Sequence, residues 1–154
     1  MQTTSQIKLR PAETRDAGEV ARLVAASFAQ YTPLIGKPPA PVLYDYAALV
    51  ATGRVWLAVA GEELRGMIYS YPEEDGAVML DVLAVSEAAR GQGLAKRLVT
   101  QVESGARAEG ARLVRVYTNA VMAGPQVLYP RLGYKETHRG ESDGYMRIHY
   151  EKRL

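Results

Sequence analysis

The stretch from 77 to 118 constrains the fold of this chain more than any other. AVMLDVLAV at 77 to 85 is an apolar run of strand length, and ARGQGLAKRLV at 89 to 99 follows with glycines at 91 and 93. Leu94, Leu98, Val102 and Ala106 then recur every fourth residue, the mark of one buried helix face, and the helix ends about Gly110. RLVRVYT at 112 to 118 reads as the next strand. Two strands joined through a helix pair in parallel, since a tight turn cannot connect them.

The flanking segments add antiparallel strands. VWLAVA at 55 to 60, a GEE turn, LRGMIYSY at 64 to 71 and a polar turn from Pro72 to Gly76 lead into the run at 77, forming a meander. At the amino end, QIKLRP at 6 to 11 suits a short strand. Thr14 is placed to cap a helix carrying Val20, Leu23, Val24 and Phe28 on one face. YTPLIGKPPAP at 31 to 41 holds four prolines and a glycine and reads as a loop. A second helix is expected over 42–52, ending near Gly53, and another short one over 125–132. GYKETHR and GYMRIHYEKRL close the chain as a hairpin around a GESDG turn. The order β-α-α-β-β-β-α-β-α-β-β predicts an α+β fold. Its sheet would be mixed, mostly antiparallel, of about seven strands with four helices on its faces, and 154 residues fit a single domain spanning 1–154.

Composition narrows the function classes. With 19 basic and 17 acidic residues and no long block of either sign, no nucleic-acid surface is indicated. There is no cysteine, so disulfides, thiolate metal sites and a cysteine nucleophile are all excluded. No His, Asp or Glu spacing suggests a metal site. The amino terminus lacks the apolar core of a signal peptide, and no window approaches the ~20 apolar residues of a membrane span. The expectation is a soluble, cytoplasmic protein with no membrane partner.

The glycine cluster fails both common nucleotide motifs. Counted from Gly91, the second P-loop glycine would fall on Lys96, followed by Arg97 and Leu98 where Lys and a hydroxyl are required. A dinucleotide fingerprint needs a small residue where Lys96 stands and an acid about 20 residues on, where Arg115 and Val116 stand. The shared physics survives: glycines at a strand-to-helix junction admit a ligand to the backbone, and free amides at a helix start attract an anion, with Arg90, Lys96 and Arg97 adding to the field. A tight turn beside solvated basic residues fits the same pattern.

Leu83 to Ala95 resembles the coenzyme A motif of the GNAT superfamily of N-acetyltransferases, Arg/Gln-x-x-Gly-x-Gly/Ala, with Arg90, Gly93 and Ala95 in its defined places. YTNAVMAGPQVLYPRLGYKETHR at 117 to 139 is similar to the family's second motif, with Leu128-Tyr129 followed by Leu132-Gly133-Tyr134. The resemblance implies acetyl-CoA as donor, its pyrophosphate held at the loop Arg90, Gly91, Gln92, Gly93, Leu94, Ala95 and Lys96. It implies that the fourth and fifth strands splay and that the pantetheine lies between them along Leu83 and Val85, with an amide near Leu83 facing the oxyanion. Asn119, at the end of the fifth strand, would bind the pantetheine arm or simply make a strand-end turn. Tyr129 matches the family's general acid. Met122 and Pro125 stand where many relatives have asparagine and alanine, and Pro130 biases Tyr129 away from helical geometry.

For the base the sequence offers Asp81. Strict alternation places it on the same face as Leu83, as a proton acceptor or as an ordinary strand-face residue. His138 and His149 read as surface strand residues. In the family the acceptor meets the thioester beside segments that correspond here to Tyr31–Pro41 and Arg139–Gly144. Tyr31, Leu34, Ile35, Glu141 and Asp143 would make an aromatic and acidic rim suited to a small cationic amine, or a surface with no ligand. The implied activity is acetyl transfer to a small-molecule primary amine by direct attack. Acetylation of a protein or peptide amine and a non-catalytic coenzyme A-binding module are the alternatives, and a homodimer stays open.

Overall fold

Alternating apolar residues in the central segments build a sheet buried on both faces. Its strands are β1 (Ile7–Pro11), β2 (Val55–Ala60), β3 (Glu63–Pro72), β4 (Val78–Val85), β5 (Leu113–Asn119), β6 (Lys135–Ser142) and β7 (Tyr145–Arg153). A computed structural model describes residues 6–154 and arranges the strands in the order β1-β2-β3-β4-β5-β7-β6. β4 and β5 are parallel and every other neighbour pair is antiparallel, as the meander and the crossover helix require. Residues 1–5, which belong to the expected domain and amino terminus, lie outside the described residues.

The helices are α1 (Ala17–Phe28), α2 (Thr32–Ile35), α3 (Tyr46–Ala51), α4 (Leu94–Ala108) and α5 (Ala123–Arg131). Leu94, Leu98, Val102 and Ala106 of α4 are buried against Ile68, Leu80, Val116 and Ile148 on one face of the sheet. Val20 and Val24 of α1 and Val50 of α3 pack on Leu57, Met67 and Val82 on the other. Each such side chain removed from water contributes about 1.5–3 kcal/mol, so both helix layers are held mainly by burial.

The amino-terminal third departs from the sequence expectation. Asp16, and not Thr14, fixes the entry to α1: its carboxylate accepts from the Glu13 amide at 2.7 Å and pairs with Arg10 at 2.8 Å. Within the expected loop 31–41, residues 32–35 form one helical turn that closes at Gly36, whose φ of +84° suits glycine. Pro33 is tolerated there because a first-turn amide has no partner to lose. Pro39 and Pro41 confine residues 40–43 to a 3₁₀ turn, so α3 begins only at Tyr46, capped by Asp45 accepting from the Ala48 amide at 3.2 Å. Among the described residues no helix is long and apolar enough to cross a membrane.

Candidate active site

The turn after β4 delivers the chain to α4 through two left-handed glycines, Gly91 at φ +80° and Gly93 at φ +76°. A side chain at either would meet nothing within 4 Å, so the glycines are there for backbone conformation and leave open space above the loop. Gly93 is the N-cap of α4 and provides no side-chain acceptor, so the amides of the first turn point outward unsatisfied. This is the environment an anion needs. Arg90 is exposed beside it. The Lys96 side chain instead lines a shallow groove with Leu9, Arg97 and Thr100 on the outer side of α4.

β4 and β5 pair only from Val78 with Val114 to Leu80 with Val116, and then part. The opening is a cleft of about 90 Å³ that brings together Asp81, Leu83, Asn119 and Tyr129. Val85 is not among its walls and lies further along the same strand toward the glycine loop. Two buried oxygens without partners flank this path: Ser86 Oγ at the end of β4 and Thr118 Oγ1 in the cleft wall. Arg65 Nε is a third unpartnered group, and the Arg65 carbonyl accepts from the Ser86 amide at 2.8 Å. Orphan polar atoms of this kind, together with free helix amides, fit an extended ligand rich in phosphate and amide groups.

Asp81 does not share a face with Leu83. The β3–β4 register pairs Tyr69 with Val82 but Ser70 with Leu80, so Asp81 is the extra residue of a β-bulge and the alternation resets across it. Leu80 and Leu83 therefore both pack toward α4, whereas Val82 packs toward α1 and α3. Asp81 turns to that second side, accepting hydrogen bonds from Tyr117 Oη at 2.5 Å and Tyr44 Oη at 3.3 Å. Burial raises its carboxyl above the usual carboxylate range, against the opposing pull of the two phenols and of Arg147. It still reaches the cleft because the parted strands let both sides of the sheet open into it.

Tyr129 lies on α5, which runs from Ala123 to Arg131 and has Pro130 inside it. Pro130 does not divert it: the proline falls in the last turn, where the helix closes by the Leu132 amide on the Leu128 carbonyl (3.1 Å) and the Tyr134 amide on the Tyr129 carbonyl (3.0 Å). The ring of Tyr129 is 3% exposed and is held edge-on to Tyr134 at 5.5 Å, while Tyr134 Oη donates to Glu103 at 2.8 Å. Burial pushes the Tyr129 phenol well above its ordinary range. Asn119 makes the strand-end turn, its Oδ1 accepting from the Val121 amide at 3.1 Å, and its side chain also lines the cleft, leaving the amide nitrogen as its donor.

The acceptor rim differs from the sequence expectation. Tyr31, Leu34 and Ile35 do not line the cleft, and Leu34 is 65% exposed; Phe28, Pro39 and Pro41 do. Neither Glu141 nor Asp143 faces it. Asp143 pairs with Arg147 at 2.8 Å, and the charges inside the cleft are Asp81 and Arg147. Sequence reasoning missed Tyr44, Tyr117, Tyr145, Arg147 and Thr118. Tyr117 and Thr118 are neighbours near the end of β5, inside the segment read as the second motif but without a role there, and Tyr145 and Arg147 alternate on β7, where no motif marks them. Among the described residues no group of three or more His, Cys, Asp or Glu side chains could hold a metal ion.

A family profile described as an acetyltransferase (GNAT) domain matches residues 51–136. N-acetyltransferase 8F1 of Rattus norvegicus is 35% identical over 94 residues, 58% of this chain and 42% of that protein. The chain thus spans less than half the length of this curated relative. Among solved structures, the PaiA N-acetyltransferase of Thermoplasma acidophilum in complex with coenzyme A superposes with a TM-score of 0.80 at 14% identity, over 97% of this chain and 99% of that one. The NatC complex bound to Gag peptide and CoA gives 0.75 at 17% identity, over 97% and 99% of the two chains.

Proposed function

The chain belongs to the GNAT acetyltransferase family, and from that premise we propose that it moves the acetyl group of acetyl-CoA to the primary amine of a small molecule. The observation that carries this reading is the convergence of Asp81 and Tyr129 on one cleft, opened where β4 leaves β5 on the way to the glycine loop. Acetyl-CoA supplies an activated thioester. The backbone amides of Leu94, Ala95 and Lys96, with Gln92 and the left-handed Gly91 and Gly93, would hold its diphosphate, and Arg90 would add charge. The unpaired edge of β4 at Leu83 and Val85 would accompany the pantetheine arm, with Asn119 Nδ2 and Thr118 Oγ1 within the same cleft system.

Two proton tasks fall to this chain. Asp81 takes the proton from an incoming ammonium, and its raised pKa narrows the gap between carboxylate and amine. Tyr129 holds its proton firmly because its phenolate would be buried. A sulfur anion leaving in the same apolar surroundings is equally deprived of water and so a stronger base than in solution. Position, more than acidity, suits Tyr129 to protonate it. A small acceptor is favoured over an extended peptide by the strap across the rim, where Lys37 Nζ donates to the Gly144 carbonyl at 2.8 Å and Tyr145 Oη to the Pro38 carbonyl at 2.7 Å.

Thiol release from acetyl-CoA over a panel of small amines, amino acids and peptides tests the proposal. Acceptor-dependent release with at least one small amine is the expected result. Coenzyme A binding without release on any acceptor would leave a binding module in its place, and release only with peptides would move the acceptor to polypeptide.

A further inference from the structure

Among the described residues Arg147, on β7, is the one strongly basic side chain lining the cleft. Only 7% of the residue is exposed. Its Nη1 is used twice, donating to Asp143 Oδ2 at 2.8 Å and Ser142 Oγ at 3.1 Å. Nε and Nη2 donate to no group among the described residues, and the side chain lines the cleft. Asp143 does not neutralise it fully, because the Asp143 side chain is 84% exposed and its charge is screened by water. A buried guanidinium with spare donors and only a solvated counter-ion is a seat for a carboxylate, which matches the fork in shape as well as charge.

Tyr117 sets the spacing. Its hydroxyl donates to Asp81 at 2.5 Å, while the Arg147 guanidinium carbon stands 4.2 Å from the centre of its ring. The two opposite charges of the cleft thus flank one tyrosine. An α-amino acid carries an ammonium and a carboxylate on one carbon, so from within one cleft it can offer the first to Asp81 and the second to Arg147. Phe28, Pro39, Pro41 and Met122 give the remaining wall an apolar character.

Resting on the acetyl transfer proposed above, we infer that the acceptor is a free α-amino acid with an apolar side chain, its carboxylate seated on Arg147 while its amine faces Asp81. A peptide amino terminus, whose first carboxyl is an amide, lacks the group that Arg147 reads.

The test compares L-phenylalanine with L-phenylalaninamide as acceptors, in wild type and in Arg147→Gln and Arg147→Lys, with the melting shift produced by coenzyme A measured on each protein. Wild type is expected to favour the acid by about ten- to hundredfold in kcat/KM. Arg147→Gln brings the ratio close to one, mainly through the KM of the acid, and Arg147→Lys recovers part of it, while the coenzyme A shift stays as in wild type. Equal rates on acid and amide in wild type, a preference that survives Arg147→Gln, or better turnover of peptide amines than of free amino acids would each overturn the inference. If coenzyme A binds but no amine turns over, the transfer reading fails by itself. Binding of N-acetylphenylalanine then decides for Arg147: binding lost in Arg147→Gln supports the carboxylate seat, and binding that is absent or unaffected removes it.

Discussion

Asp81 sits at a bulge with its carboxylate between two phenols, on the side of the sheet where a strictly alternating strand would have placed a neighbour. Its folded-state pKa is raised, because burial disfavours the charged form. A carboxyl raised on folding contributes stability that is fully present below its unfolded pKa, about 4, and is lost as pH rises through the folded value. Asp81→Asn is therefore expected to gain melting temperature relative to wild type on going from pH 4 to pH 7, while losing turnover by about a hundredfold or more and losing the acidic limb of the pH–rate profile. Melting curves at the two pH values and a rate profile check both signs, and an unchanged acidic limb would remove Asp81 as the base. Tyr129→Phe keeps the ring against Tyr134 and removes only the hydroxyl. It should lower turnover by about a hundredfold or more with coenzyme A affinity intact, and full turnover would remove Tyr129 as the acid. Asp81 was visible in the sequence as the lone carboxylate of an apolar strand, but its face was not. The bulge is set by pairing with β3, which no period within β4 encodes.

In the loop-to-α4 junction, the glycine spacing and the apolar recurrence at every fourth residue are local signals, and the structure buries the four residues that recurrence picks out, Leu94, Leu98, Val102 and Ala106. Gly93 and Gly105 separate the two uses of glycine in this element. An alanine at Gly93 would meet no atom within 4 Å, yet would have to adopt a φ of +76°, at a cost of about 1–2 kcal/mol. Gly105 lies inside α4 with open space around it and an ordinary helical φ. Gly105→Ala is expected to stabilise by about 0.5–1 kcal/mol. Urea denaturation should show the two variants moving in opposite directions, and coenzyme A should bind more weakly to Gly93→Ala alone, since only that change disturbs the amides at the helix start. The segment from 29 to 45 was far less legible. Its turns are set by Pro33, Pro39 and Pro41, by the closing Gly36 and by long-range bonds to Gly144 and Tyr145, and the last of these leave no trace in local periodicity.

Across the whole molecule the cleft joins two halves of different legibility. Residues 51–136 hold the glycine loop, β4, β5 and α5, and these are the residues the family profile matches. Phe28, Tyr44, Tyr145 and Arg147 lie outside that range, on the segments proposed above to receive the acceptor. The two flanks meet through Lys37 on Gly144 and Tyr145 on Pro38, which tie the approach to α3 onto the β6–β7 turn. A donor side fixed by backbone geometry and an acceptor side fixed by a few side chains should respond separately to mutation. Tyr145→Phe removes one strap bond, worth about 1 kcal/mol, and leaves the glycine loop untouched. It should raise the KM of the acceptor several-fold while the shift with coenzyme A stays at the wild-type value. At a hundred times its dissociation constant coenzyme A stabilises by about 2.7 kcal/mol, or about 5–10 °C in a domain of this size. Calorimetric melting with and without coenzyme A, beside acceptor kinetics on the same protein, measures the two sides independently. A coenzyme A shift that falls along with acceptor affinity would mean that the strap organises the whole cleft, and the two halves would then have to be treated as one site.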